Sequence, residues 1–241
     1  MVNKMLLSDS EILEAIEKQE IEIGDFYKDS LQPASYDLRL GKKAIVTKST
    51  DLRDLKDKIS SESAPEIDIE KEGSLKIPAG AFALITTLEK LTFSNLYAAH
   101  IGMRSYYTRK GLILLSGLQV DPGFEGVLVL GLANLSPRSV VIEYGDPICT
   151  IEIHKLNKPS SKPYSGPHAK DQKDGRIPSM DKDYLRTIET LSMTDLTQSL
   201  MRLSDNVDSL GKDIKVLYWL FGILFVFIPI VITIIELLFK K

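Results

Sequence analysis

The hydrophobic rhythm of this chain changes three times. Over Leu6 to Lys18, Ile12, Leu13 and Ile16 share one side of a helical repeat, with Ser8 placed to cap it and Glu11 to complete a capping box. From Leu75 onward the period shortens. Segments 75–77, 81–87, 96–103, 112–115, 127–133, 139–143 and 148–153 are short and rich in Ile, Val, Leu or Thr. Pro, Gly, Asp or Asn separates them, and that spacing predicts an all-β sandwich or barrel. Within 127–133, Val127, Val129, Gly131 and Ala133 point one way and Leu128, Leu130 and Leu132 the other. Gly131 thus lies on a small-residue face, where it either admits a close backbone or ligand approach or merely fills a tight corner.

After Tyr184 the period lengthens again. Met193, Leu200, Val207 and Ile214 recur every seven residues, and Leu196, Leu203, Leu210 and Leu217 follow the same interval offset by three. This is a heptad seam, predicting either a coiled-coil stalk or one amphipathic helix folded on the head. Val216 to Ile235 is an uninterrupted apolar run of 20 residues, with Tyr218 and Trp219 at its interface end and Lys240 and Lys241 beyond its far end. That length predicts a membrane span across about 30 Å of hydrocarbon. Between these regions, Asp51 to Ser63 reads as a charged surface insertion, and Asn157 to Ser179 as a Pro-, Ser-, Gly- and Lys-rich arm or linker.

Composition narrows the chemistry. A formal net charge of -3 gives no bulk attraction to nucleic acid. The single cysteine, Cys149, excludes an internal disulfide, and His100, His154 and His168 lack ligand spacing. The zinc-deaminase signature of His-x-Glu followed by Pro-Cys-x-x-Cys is absent. The opening residues turn acidic where a signal peptide would be apolar.

Candidate chemistry concentrates between Ala99 and Asn134. MRSYYTRKG places Arg104, Ser105, Thr108 and Arg109 in one short segment, a set of guanidinium forks and hydroxyls suited to a polyphosphate. Asp121 follows an apolar run and precedes a Pro-Gly turn and Phe124, a corner where a carboxylate can take a proton from water.

The order RSxxxRxG, an apolar strand, GLQVDPGFEG and a strand ending at Asn134 resembles the dCTP deaminase and dUTPase superfamily. SLQPASYDLRLG (Ser30 to Gly41) and YGDPICTIEI (Tyr144 to Ile153) are similar to that family's early and late motifs. The resemblance implies a mainly β head, a distorted jelly roll or barrel that forms homotrimers with nucleotide sites between subunits. It implies that Arg104, Ser105 and Arg109 hold phosphates, and that Gly117 and Leu118 read a pyrimidine edge through backbone groups. Asp121 would activate water, Phe124 pack on the deoxyribose, and Asp37 lie near phosphate-bound Mg²⁺. Tyr164 and Lys170 would belong to an arm that closes over the nucleotide. Where deaminases of this family carry a general-base Glu, this chain has Gly131; Tyr106 replaces a second Ser and Thr150 a common Gln.

The expected organisation is a nucleotide-binding head over 1–158, an arm over 159–180, a stalk over 181–215 and a transmembrane helix over 216–239, tail-anchored with the head in the cytoplasm. The expected activity is a membrane-anchored, dUTP diphosphatase-like hydrolase of pyrimidine deoxynucleoside triphosphates. Two alternatives stand beside it: a nucleotide sensor without turnover that controls the stalk, and a dCTP deaminase.

Overall fold

The structure is a computed structural model that describes residues 6–47, 65–178 and 193–239, the last segment with its side chains only over 201–223 and at 227 and 228. The chain divides into two units, Met1–Thr194 and Asp195–Lys241. The insertion expected over Asp51 to Ser63 lies outside the described residues, as do the stalk over 181–192 and the side chains of Met193, Leu196 and Leu200.

The first unit is mainly β. Helix α1 (Asp9–Glu17) opens it, and the predicted capping box is present: the Ser8 backbone N–H donates to Glu11 Oε2 at 3.0 Å. Ile12 and Ala15 turn its apolar side into the core. Then follow β1 (Ile21–Ile23), β2 (Leu31–Gln32), β3 (Ser35–Val46), β4 (Ile67–Asp68), helix α2 (Ile69–Glu72), β5 (Ser74–Ile77), β6 (Phe82–Phe93) and β7 (Tyr97–Met103). A single turn of helix, α3 (Ser105–Thr108), precedes β8 (Leu112–Leu114), β9 (Gln119–Val120), β10 (Glu125–Asn134), β11 (Val140–Glu143), β12 (Pro147–Lys155) and the short α4 (Ala169–Lys173).

The main sheet runs β8-β10-β6-β3-β12-β7-β9 with every pairing antiparallel, and β5 with β11 forms a separate pair. Strand β3 ties the two halves together. Tyr36 to Arg39 pair with β12, whereas Leu40 to Val46 pair with β6, across register shifts on both sides. Gly41 sits at that crossover because a Cβ there would lie 2.3 Å from the Thr87 carbonyl oxygen. Leu38, Leu40, Ile85, Leu91, Leu130, Leu132, Ile151 and Ile153 fill the space the curled sheet encloses. The two faces of β10 are as the alternation predicts, with Leu128, Leu130 and Leu132 buried.

The second unit contains one helix, α5 (Met193–Phe239). Here the membrane expectation is corrected. Among the described residues no helix is long and apolar enough to cross a membrane. The transmembrane helix over 216–239, and with it the tail-anchored placement of the head in the cytoplasm, is therefore withdrawn.

Candidate functional site

The candidate residues occupy neighbouring strands of the β3-β12-β7-β9 half. Cross-strand register places Asp37 opposite Thr150 and Thr150 opposite Gly102, while the Ile101 N–H donates to the Leu118 carbonyl at 2.7 Å. One row across the sheet thus joins the first motif, the late strand motif, the end of β7 and the hairpin that carries Gly117 and Leu118. The next row aligns Glu152 with His100 and His100 with Gln119. Gln119 Nε2 donates to Asp121 Oδ1 at 2.8 Å, fixing one carboxylate oxygen and leaving the other for a water molecule. Sequence reasoning missed Gln119; its position two residues before Asp121 on the same strand face was the available signal.

The phosphate candidates surround α3. Tyr107 is buried and donates to Asp146 Oδ2 at 2.9 Å, which anchors the turn and leaves Ser105 and Arg109 exposed beside it. Burial, then the Asp146 carboxylate, pushes the Tyr107 phenol up. Arg104 is held differently. Its Nη1 lies 3.0 Å from Oδ2 of Asp37, whose side chain is nearly buried. Burial pushes the Asp37 carboxyl above its ordinary range, against the opposing pull of Arg104, Thr150 and Gln32. Tyr106, in place of the family's second Ser, is turned toward Lys110: the ammonium donates to its hydroxyl at 2.6 Å and lies 4.0 Å from its ring centroid. Lys110, next to Arg109 in the chain, is held on Tyr106 by these contacts and is a residue that sequence reasoning missed.

The arm is seated on the head. The Tyr164 N–H donates to the Pro122 carbonyl at 2.8 Å, its hydroxyl to Gln172 Oε1 at 2.9 Å, and its ring lies 5.4 Å from Phe124. Phe124 is consequently only 3% exposed. Burial and then the Asp121 carboxylate push the Tyr164 phenol up, so the arm tyrosine and the candidate general base share one environment. Lys170 is exposed on α4. That helix packs on β10 at Gly126, whose φ of +148° and lack of Cβ let the Gln172 carbonyl approach.

Gly131 explains itself by its neighbours. A Cβ there would stand 2.9 Å from Cζ of Phe82. The Gly131 N–H donates to Ser116 Oγ at 2.6 Å, and its carbonyl accepts from the Leu115 N–H at 2.8 Å. Phe82 packs in turn on Ile45, Leu84 and Ile177, the last from the arm. The slot is filled by an aromatic ring, and no carboxylate enters it from position 131. Gly117 has open space around it and Leu118 is 68% exposed, so the hairpin tip is accessible.

Among the described residues no group of three or more His, Cys, Asp or Glu side chains is arranged to hold a metal ion. Asp37 is a single carboxylate already paired with Arg104. Such a donor set fits Mg²⁺ only in the form that retains its waters and is carried by substrate phosphates.

The dCTP deaminase-like family profile matches residues 6–156. A dCTP deaminase of Thermococcus sibiricus is 37% identical over 162 residues, covering 67% of this chain and 90% of that protein. A dUMP-forming dCTP deaminase of Aquifex aeolicus is 34% identical over 175 residues, covering 73% and 94%. In three dimensions the chain is similar to the crystal structure of a 2'-deoxycytidine 5'-triphosphate deaminase from Agrobacterium tumefaciens, with a TM-score of 0.50 at 20% identity. That likeness covers 64% of this chain and about half of the other, 48%, and shows the fold alone. Over more than half its length, this chain belongs to the dCTP deaminase-like family.

Proposed function

We propose that the head hydrolyses a pyrimidine deoxynucleoside triphosphate, dUTP foremost, to the monophosphate and diphosphate, and does not deaminate. The observation that carries this reading is the Phe82 ring over Gly131. Deamination needs a group that passes protons to and from the base, and its loss costs orders of magnitude. Hydrolysis asks mainly for positioning and charge stabilisation. Arg104, Ser105 and Arg109 hold the phosphate oxygens. Asp121, steadied by Gln119, orients a water toward the α-phosphorus and accepts its proton as the new P–O bond forms and the bond to diphosphate breaks. Mg²⁺, carried by the phosphates near Asp37, would supply charge neutralisation on the leaving group. Gly117 and Leu118 offer backbone groups to the pyrimidine edge. Tyr164 and Lys170 belong to the arm that borders the site.

The head acts, in this reading, as a homotrimer. Ile113, Leu115 and Leu135 leave apolar side chains exposed near β8, and Leu118 does so on the hairpin that follows it, surfaces which a neighbouring copy would cover. The seam on α5 serves the same self-association.

A second reading has its own support. Arg104 is engaged by Asp37 and Phe124 is covered by Tyr164, so two nucleotide-binding groups are occupied within the chain. A head of this kind that binds without turnover is a nucleotide sensor. Incubating the purified full-length protein with Mg²⁺ and either dUTP or dCTP separates these readings. Diphosphate release from dUTP, with no uracil formed from dCTP, supports the hydrolase. Binding without release supports the sensor, and uracil formation from dCTP overturns both.

A further inference from the structure

A cavity of about 470 Å³ opens on the first unit and is lined in part by Phe26, Tyr27, Arg39, Lys42, Glu70 and Tyr144. None of these is among the nucleotide-site candidates. The volume falls within the range of sites for small organic ligands.

Its base is built around Arg39. Glu89, fully buried, accepts from Arg39 Nε at 2.7 Å and from the Arg39 backbone N–H at 2.8 Å. A third bond runs from Nη2 to the Asp25 carbonyl at 2.5 Å. Asp25 holds that carbonyl in place with a φ of +52°, a conformation costly for a side chain other than glycine. The guanidinium is thus locked and its charge balanced from beneath. Two of its five N–H groups are used by these side-chain bonds, and the others remain as directional donors. Tyr27 lies 5.4 Å from its carbon and is 51% exposed, a stacking surface beside the fork. Phe26, stacked on buried Tyr36 at 5.3 Å, supports the same wall.

At the mouth, Lys42 Nζ pairs with Glu70 at 3.0 Å, both side chains about half exposed. The Tyr144 hydroxyl donates to the same Glu70 at 3.3 Å. An exposed pair of this kind opens readily to a competing anion.

We propose that this cavity is a second nucleoside-monophosphate site: the base stacks on Tyr27 and presents an acceptor edge to Arg39, and the phosphate takes Lys42 from Glu70. An arginine fork matches the paired O6 and N7 acceptors of guanine better than any other base edge. The site therefore prefers a guanine monophosphate and is distinct from the pyrimidine triphosphate site around Arg104.

Calorimetric titration of the full-length protein with dGMP, dUMP, guanosine and inorganic phosphate tests it. The expected order is dGMP tightest, with a Kd of about 1 mM or better, and guanosine and phosphate each weaker by roughly tenfold or more. Tyr27→Ala should weaken dGMP by about tenfold. Glu70→Gln should tighten it by releasing Lys42, a gain that misfolding cannot mimic. Arg104→Ala should leave dGMP binding unchanged while weakening dUTP. No measurable dGMP binding, equal binding of dUMP, loss of dGMP binding in Arg104→Ala, or indifference to both Tyr27→Ala and Glu70→Gln would each overturn the assignment.

Discussion

In the proposed reading, Asp121 and Gly131 are the residues that set which reaction the head supports. Asp121→Asn preserves the shape and the Gln119 contact but removes the proton acceptor. Turnover of dUTP should fall by about 10²- to 10⁴-fold while nucleotide affinity stays nearly constant, measured by steady-state kinetics beside equilibrium binding. A parallel loss of binding and thermal stability would make Asp121 a structural turn residue instead. For Gly131 the neighbouring ring sets the outcome. Gly131→Glu alone forces Phe82 to move and should destabilise the head by about 1–3 kcal/mol. Adding Phe82→Ala should recover part of that loss by opening the slot, as read by urea unfolding. Asp37 makes a third case. Its folded carboxyl is raised by burial, so the folded state holds the proton more tightly than the unfolded chain. Stability from this group is fully present below the unfolded value and declines as pH rises through the window up to the folded one. Asp37→Asn lacks that decline, so its stability relative to the parent should improve as pH rises above the ordinary aspartate value of 3.8; a constant difference would sink the assignment.

At the scale of elements, the chain was most legible where one face is buried against water. All seven short apolar segments became strands, and α1 appeared with the cap that Ser8 and Glu11 announced. Strand β3 was recognised only as a motif, because SYDLRLGKKAIV carries buried residues on both faces where it passes between the two sheet halves, and no simple alternation survives. Asp37, Arg104 and Thr150 were singled out separately, yet only the register reveals that they meet. Buried Glu89 and the ring of Phe82 gave no local signal, since their roles depend on partners about fifty residues away. The arm was read as a cover or a linker. Its sequence could not show that Tyr164 packs on Phe124 or that Ile177 is 3% exposed beside Ile45 and Leu84. Ile177→Asp buries an unpaired charge and should release the arm. Limited proteolysis should then cut within 157–178 faster than in the parent, with the β head remaining intact. Equal cutting rates would mean that Ile177 does not hold the arm.

Across the whole molecule, the relatives account for the head and leave the second unit to be explained by its own chemistry. Leu203, Val207, Leu210, Ile214 and Leu217 stand at heptad spacing on α5, each 49–59% exposed. A continuous apolar row of this kind is unfavourable in water, and pairing with the same row of another copy removes it. The flanking positions Ser204, Asn206, Gly211 and Asp213 are small or polar, which permits close approach without an opposing block of like charge. Cys149 is buried and its thiol is pushed up by burial, so it stays silent toward oxidants in the folded head. A single cysteine at Leu203, in a Cys149→Ser background for certainty, should therefore report only on this helix. We expect disulfide crosslinking between copies under mild oxidation, and its loss when Leu210→Asp and Ile214→Asp place charge in the row. Light scattering should show a lower association state for the same double variant and for a chain ending at residue 178. If the double variant crosslinks and scatters like its parent, the row does not join copies, and self-association of the protein rests on the head alone.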